Sequence, residues 1–228
     1  YGEQEHLVQL YQEALAVPDV VGLVIGTRPD CMPNELLDYL AQLHREKFVL
    51  VEYGVESTSD ATLERINRGH SYQCAVETIH RTAQRGLPVG AHFILGLPGE
   101  TREFTVNQAE IINQLPIDTL KLHQLQIIRG TAMAREFIRQ RERAAQDITY
   151  TSDYSLYSAE EYASLVVDFL EKLRPDIVVE RFASSSPQAL LLAPDWGLKN
   201  YEFVALVDKE LRRRDSWQGK YYSPCTLT

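Results

Sequence analysis

Apolar positions along the chain alternate between helical spacing and the unbroken runs typical of buried strands. Apolar residues between Leu7 and Leu15 recur every three or four positions, and Pro18 closes this helix. The β-branched run at 20–25 predicts a strand buried on both faces. The same alternation continues along the chain. Further strands are predicted over 48–51, 89–95, 119–128 and 177–182, and further helices over 36–43, 75–85, 104–115, 160–173 and 201–214.

Strands that alternate with helices predict right-handed crossovers on a parallel sheet. About five strands are too few for an eight-stranded barrel. A partial barrel without its first strands fits better than a doubly wound sheet, although periodicity by itself does not separate the two. We predict an α/β fold with a partial barrel over 1–145 and a C-terminal α/β extension over 146–228. In either fold a ligand binds at the carboxyl ends of the strands.

Composition and charge exclude several classes of protein. A chain of 228 residues that is 44% hydrophobic can bury a sizeable core, which excludes disorder. A formal charge of −9 argues against general binding of polyanions. Five arginines lie between 129 and 143, and we interpret them as a solvated helix face, with phosphate or RNA contact as the alternative.

The cysteines and the apolar runs of the chain give expectations about the cellular compartment and about membranes. Cys31, Cys74 and Cys225 are odd in number and widely spaced, which implies no disulfide framework and suits a cytoplasmic protein. No apolar run approaches the roughly 20 residues that a membrane span needs, so we expect no membrane partner. The chain does not begin with Met and enters helical periodicity at once, so we expect it to be a piece of a longer protein.

Polar side chains end or follow four of the predicted strands, where a ligand is expected. Taken singly, each has a structural explanation: Ser57 can cap a helix, and His92 can be a hydrogen-bonded core histidine. Together they predict a binding site. The sequence contains no P-loop, no GxGxxG and no metal-ligand spacing. The strand-end residues are Thr27, Arg28, Glu56, Ser57, His92, His123, Gln124 and Gln126.

Three ordered strings carry a family resemblance: EYGVES at 52–57, LERINRGH at 63–70 and HFILGLPGET at 92–101. They resemble the fourth and fifth strand regions of radical S-adenosylmethionine (SAM) enzymes. The nearest groups are relatives of oxygen-independent coproporphyrinogen oxidase and of the elongator catalytic subunit. Within these, the chain looks most like an uncharacterised bacterial family, of which GTRPD at 26–30 and LQIIRGT at 125–131 are also typical. The resemblance covers nearly the whole chain.

The resemblance implies a partial (βα)₆ TIM-like barrel with SAM across the strand ends. It places Glu56 on the SAM ribose, Arg68 on the methionyl carboxylate and His92 where an acidic residue contacts the ribose. Carboxylates accept hydroxyl hydrogens, and a guanidinium fork suits a carboxylate. Gly26 stands near the point where the oxidase has an acidic residue, which is a departure from the oxidase pattern. The SAM-binding residues that we predict are Thr27, Arg28, Glu56, Ser57, Arg68, His92 and Gln126.

The resemblance also implies an iron–sulfur oxidoreductase. In intact form it would cleave SAM to a 5′-deoxyadenosyl radical, which abstracts hydrogen from an unknown substrate, either a small molecule or RNA. An electron donor would reduce its [4Fe–4S] cluster. Such a cluster needs thiolate ligands, and the CxxxCxxC motif of the family is absent from this chain. We therefore predict no metal ligands here and an inactive fragment.

Two alternatives remain open at this point. One is a degenerate βα barrel that acts as a nucleotide-binding sensor or scaffold without catalysis. The other is a different βα enzyme with Glu56 and His92 as acid and base, which requires both side chains to converge on one substrate. Arg181, at a strand end, is either a substrate contact or part of a buried salt bridge.

Overall fold

The computed structural model describes residues 3–224, which form a parallel sheet covered by helices on one face. Cys225 lies outside the described residues. In chain order the elements are α1 (Gln4–Leu15), β1 (Gly22–Thr27), a 3-10 helix (Pro29–Cys31), α2 (Asn34–His44), β2 (Phe48–Glu56), α3 (Asp60–Arg65), α4 (Tyr72–Ala83), β3 (Val89–Leu95), α5 (Arg102–Ile112), β4 (Thr119–Gln124), β5 (Ile127–Ile128), α6 (Ala132–Gln146), α7 (Ala159–Lys172), β6 (Val178–Arg181), β7 (Leu191–Ala193) and α8 (Asn200–Arg213).

The main sheet has the strand order β1-β2-β3-β4-β6, with every neighbouring pair parallel. Alternate residues of β2, such as Val51, Tyr53 and Val55, are buried in one core with α2, α4, α5 and α7. Helices on one face are the arrangement of a barrel sector, whereas a doubly wound sheet carries them on both. The predicted partial barrel is therefore confirmed.

The other side of the sheet, which we call the open face, carries the intervening residues. In β2 these include Glu52, Gly54 and Glu56, because successive side chains of a strand point to opposite faces. The parallel register continues the open face across the next two strands. Its residues there are Gly90, His92 and Ile94 in β3, and Thr119, Lys121 and His123 in β4.

The prediction for the first strand is wrong in one respect. The strand is real, but it is not buried on both faces: it pairs only with β2, and Val24 is 59% exposed. An apolar run predicts burial only where a neighbour covers it. Within the described residues, β1 is an edge strand of the sheet.

Other predicted boundaries also shift. The second strand extends five residues beyond 51, so Tyr53 lies inside it, fully buried, with its hydroxyl 2.7 Å from the Thr82 hydroxyl. The strand predicted over 119–128 breaks after Gln124, and its last part forms a separate antiparallel pair. The third strand has the predicted bounds. Among residues 3–224, the sequence pattern missed the 3-10 helix, α3 and β7, and it foresaw α6 only as a helix face.

Hydroxyl side chains cap several helices that follow strands. Ser59 accepts a hydrogen bond from the Thr62 amide, so it is the cap of α3 rather than Ser57. Such caps satisfy amides that have no partner within the helix. Among residues 3–224, no helix combines the length and the apolar character that crossing a membrane requires.

Candidate functional site

A cleft of about 470 Å³ opens where the strands end at their carboxyl side. This volume lies within the range of small-molecule sites, and the position is where parallel α/β sheets bind ligands. Its polar wall and its apolar wall come from different elements. Residues that line it include Arg28, Glu56, Arg68, Ile94, His123 and Gln126.

The polar wall is built over Gly54. Arg68 donates to the Gly54 carbonyl oxygen from Nε at 3.2 Å and from Nη2 at 2.7 Å, and His70 Nε2 lies 3.2 Å from the same oxygen. Arg68 Nη2 also lies 3.2 Å from Glu56 Oε1. A Cβ on Gly54 would meet Arg68 Nη2 and Glu56 Oε1, so the ends of these two flexible side chains would have to shift. The absence of a side chain on Gly54 therefore lets both charged groups lie over the strand in their present positions.

We expect Gly54→Ala to weaken ligand binding in the cleft and to lower the free energy of unfolding by about 1 kcal/mol, the low end of the range for overpacking, because the ends of flexible side chains can move. The added methyl group would displace the Arg68 guanidinium or the Glu56 carboxylate. Urea unfolding measures the change. Gly26→Ala is the matched control, because a Cβ there meets nothing within 4 Å. Equal losses for the two variants would contradict the crossing geometry.

Glu56 ends β2 in an unusual environment. Its φ of 74° lies in the left-handed region, which non-glycine residues seldom adopt, and its side chain is 14% exposed. Burial raises the pKa of this carboxyl group to about 7, against the opposing effect of the Arg68 guanidinium. The carboxylate is thus poorly hydrated, and it gains from ligand groups that donate hydrogen bonds.

The opposite wall is apolar. Ile94, Leu97, Leu125 and Met133 line the cleft and belong to a second, smaller hydrophobic cluster. A flat aromatic ring fits such a wall, whereas charged or hydroxylated groups fit the Glu56 side. The cleft therefore has the two kinds of surface that an adenosine derivative with a carboxylate needs.

The structure brings four of the predicted site residues to this cleft: Arg28, Glu56, Arg68 and Gln126. Arg28 is held at the edge by Asp30, whose Oδ1 accepts from Nε at 2.9 Å. The Gln126 side chain is engaged with the loop after β6, because its Oε1 accepts from the Ser186 hydroxyl at 2.7 Å. In the described residues, Gln126 therefore connects this loop to the cleft.

The other three predicted site residues do not line this cleft. Thr27 lines a separate pocket together with residues of α1. Ser57 is fully buried, and its hydroxyl donates to Glu100 Oε1 at 2.6 Å. His92 lies on the open face two residues before Ile94, farther from the strand ends, with Nε2 3.2 Å from Glu52 Oε2. Glu56 and His92 thus have different partners, which is not the convergence that the acid–base alternative requires.

Sequence reasoning missed the part of the open face beneath the cleft. Glu52 was assigned only to a family motif, Lys121 to a strand, and Glu180 to a C-terminal segment. The structure joins them, with Lys121 Nζ 2.5 Å from Glu52 Oε1 and 3.4 Å from Glu180 Oε2. The available signal was that Glu52 in β2 and Lys121 in β4 stand between apolar residues whose side chains point to the other face. Arg181, at the end of β6, is exposed and has no ion pair among the described residues.

The thiols of the described residues do not fit an iron–sulfur cluster. Cys31 lies in the 3-10 helix and Cys74 in α4, and both are free. Within residues 3–224, no group of three or more His, Cys, Asp or Glu side chains could hold a metal ion. A [4Fe–4S] cluster needs three or four thiolates at one place. No chemical step of such a cluster can be assigned to residues of this part of the chain.

Two family models match this chain. The model of the Radical SAM superfamily matches residues 1–106, and that of the Radical_SAM C-terminal domain matches residues 117–213. Together they cover most of the sheet and its helices.

Individual relatives agree with these models. The chain is 33% identical to the uncharacterized protein YtqA of Bacillus subtilis over 96% of this chain and 64% of that protein. It is 32% identical to the uncharacterized protein MJ0486 of Methanocaldococcus jannaschii over 96% of this chain and 65% of that protein. The chain thus spans slightly less than two thirds of these relatives. The second is archaeal, so similar proteins are not confined to bacteria.

A solved structure shows the same fold. The archaeal Methanocaldococcus infernus Elp3 with an N-terminal deletion superposes with a TM-score of 0.72 at 21% identity. The match covers 87% of this chain and 43% of that chain. At this identity the likeness concerns the fold, and it agrees with the barrel sector seen here.

Proposed function

Because the chain belongs to the radical SAM superfamily, we propose that the cleft at the strand ends binds SAM. The observation that carries this proposal is the Glu56–Arg68 pair over Gly54, which faces an apolar wall in one cleft. The pair offers a carboxylate and a guanidinium at 3.2 Å, and the wall offers a surface for an adenine ring.

Each part of SAM has a partner of matching chemistry. Glu56 accepts hydrogen bonds from the ribose hydroxyls. Arg68 binds the methionyl carboxylate with a guanidinium that the Gly54 carbonyl already orients, and Arg28 adds positive charge at the edge. The adenine packs against Ile94 and Leu125. Ser57 has an indirect role, because its hydrogen bond to Glu100 fixes the backbone directly after Glu56.

The activity proposed for the intact protein follows from its family. When loaded with a cluster and SAM, such a protein supplies a 5′-deoxyadenosyl radical for hydrogen abstraction. This part of the chain provides the SAM pocket and one wall of the barrel, and the thiolates come from elsewhere in the intact protein. The same proposal includes a substrate that is either a small molecule or RNA, an electron donor for the cluster and a cytoplasmic location. It also includes a division of the chain near residue 145 into a partial barrel and a C-terminal extension.

The pocket can be tested with Arg68→Ala. We expect this variant to bind SAM about 10- to 150-fold more weakly, since a hydrogen bond to a charged group contributes about 1.5 to 3 kcal/mol. Equilibrium dialysis with labelled SAM measures the dissociation constant. Arg65→Ala is the matched control: Arg65 lies three residues earlier and pairs with Glu136 and Asp153 outside the cleft, so its loss should leave SAM affinity unchanged. Equal affinities of the two variants would refute the proposed pocket.

The enzyme and the sensor alternatives separate in the intact protein. Anaerobic iron–sulfur reconstitution followed by an assay for 5′-deoxyadenosine tests the enzyme. Cluster-dependent product supports the proposed reaction class. A protein that binds SAM but takes up no iron would overturn it in favour of a sensor or scaffold.

A further inference from the structure

The open face below the cleft carries a charged network where a closed barrel packs branched apolar residues. Glu52 is the centre of this network, with its side chain only 5% exposed. Its two carboxylate oxygens contact Lys121 Nζ at 2.5 Å and His92 Nε2 at 3.2 Å. A buried ionic network stabilises a fold no better than apolar packing does, because its groups lose their hydration. Its presence on this face therefore points to binding rather than to stability.

The backbone makes room for this network. A Cβ on Gly90 would lie 2.9 Å from Glu52 Cγ and 2.7 Å from Thr119 Oγ1. Gly90 therefore lets the Glu52 side chain cross β3 and reach Lys121 on β4. Gly54 of β2 has the same role nearer the strand ends, where the charged side chains of Glu56 and Arg68 lie over it.

The network itself presents hydrogen-bond acceptors, and Arg181, which is unpaired among the described residues, lies near His123 at the edge of the site. The charge of Lys121 is matched by Glu52 and by Glu180, whose side chain is 31% exposed. A carboxylate only accepts, so we assign the hydrogen of the neutral His92 ring to Nε2, which leaves Nδ1 as an acceptor. Burial lowers the pKa of His92, although Glu52 opposes this effect, so the ring is neutral at pH 7.

His123 extends the acceptor surface into the cleft. Its ring meets that of His92 edge to face at 5.5 Å between centroids, and it lines the same cleft as Glu56. Burial, followed by the charges of its neighbours His92, Arg181 and Lys121, lowers its pKa to about 4, so this ring is neutral as well. Across residues 3–224, neither of its nitrogens has a hydrogen-bond partner in the protein.

We propose that the open face between His92, His123 and Glu180 is a second ligand site, which takes a substrate group that donates hydrogen bonds. An ammonium, an amidinium, an amide or a hydroxyl group has this chemistry, whereas a carboxylate or a phosphate does not. Glu52 is a positioning residue, because it acts on the ligand through His92. The inference deepens the proposed function, since it gives the substrate class for the site beside SAM.

Histidine NMR spectra of the full chain test this inference with three probes of equal shape: benzamidine, benzamide and benzoate. We expect saturable shifts of the His92 and His123 ring nitrogens with benzamidine and benzamide. Benzoate should leave His92 unshifted, because the carboxylate partner Arg68 lines the cleft together with His123 and not with His92. His123→Phe keeps a ring but removes the acceptors, and we expect it to weaken benzamidine binding by about fivefold, the effect of one hydrogen bond. His80→Phe, on α4 and outside the cleft, is the control and should bind benzamidine like the parent chain.

The outcomes separate the two proposals when SAM binding is measured on the same samples. A shift of His92 with benzoate as large as that with benzamidine, or no response to any probe while SAM still binds, would overturn the second site alone. A response to benzamidine without SAM binding would support the second site and refute the SAM pocket. Loss of benzamidine binding in His80→Phe equal to that in His123→Phe would place the probe elsewhere and overturn the inference.

Discussion

Glu52→Ala should lower the free energy of unfolding by about 3 kcal/mol, because it removes one partner of a buried ion pair. Lys121 would keep only the more distant and more exposed Glu180, and His92 would lose its hydrogen-bond partner. Urea unfolding monitored by circular dichroism gives the value. This loss is at the lower end of the range for breaking buried ion pairs, because the Lys121 side chain is 17% exposed.

Glu180→Ala is the matched control for this prediction. It removes the other carboxylate of the same lysine, but from a position 31% exposed, so we expect a loss of at most about 1 kcal/mol. The double variant Glu52→Ala/Lys121→Ala should recover part of the stability that Glu52→Ala loses, because it removes the uncompensated lysine charge. Equal losses for Glu52→Ala and Glu180→Ala would show that burial does not determine the strength of this network.

SAM affinity should rise about tenfold between pH 6 and pH 8, because the pKa of Glu56 is raised by burial to about 7. Ribose hydroxyls bind the ionised carboxylate, which is the minor form at pH 6 and the major form at pH 8. The same shift has a second consequence for the free protein. Since the folded state holds this proton more tightly than the unfolded state, Glu56 lowers stability as the pH rises from about 4.5 to about 7.

The amino group of SAM also ionises near pH 8, and it does so with the parent chain and with the variant. The Glu56→Gln variant therefore separates the titration of Glu56 from that of SAM. We expect the variant to bind SAM about tenfold more weakly at pH 8, the loss of one charge-assisted hydrogen bond, and to lack the rise that belongs to Glu56. Isothermal titration calorimetry at matched ionic strength gives both slopes. Parallel pH profiles for the two proteins would show that Glu56 does not contact the ligand.

The sequence predicts the order of elements well, because long apolar runs and their glycine or proline ends are local features. It predicts β2 less well. Glu52 and Gly54 interrupt the apolar residues and suggest a strand end, yet Val51, Tyr53 and Val55 continue at every second position. The polar residues of the strand belong to its open face, so alternation was the correct signal.

The candidate site is predictable in part, and the limit is physical. Glu56 and Arg68 follow from the family motifs, and the structure brings them together at 3.2 Å. The Glu52–Lys121 contact joins residues 69 positions apart across an intervening strand. Such a contact depends on the sheet register and on the absence of a side chain at Gly90. No local pattern contains this information.

Hydrogen–deuterium exchange of the chain with and without SAM tests the proposed pocket most directly. We expect slower exchange in three segments that meet at the cleft, 54–57, 94–97 and 125–128, and no change in α8. Protection elsewhere, or equal exchange in both samples at saturating SAM, would contradict it.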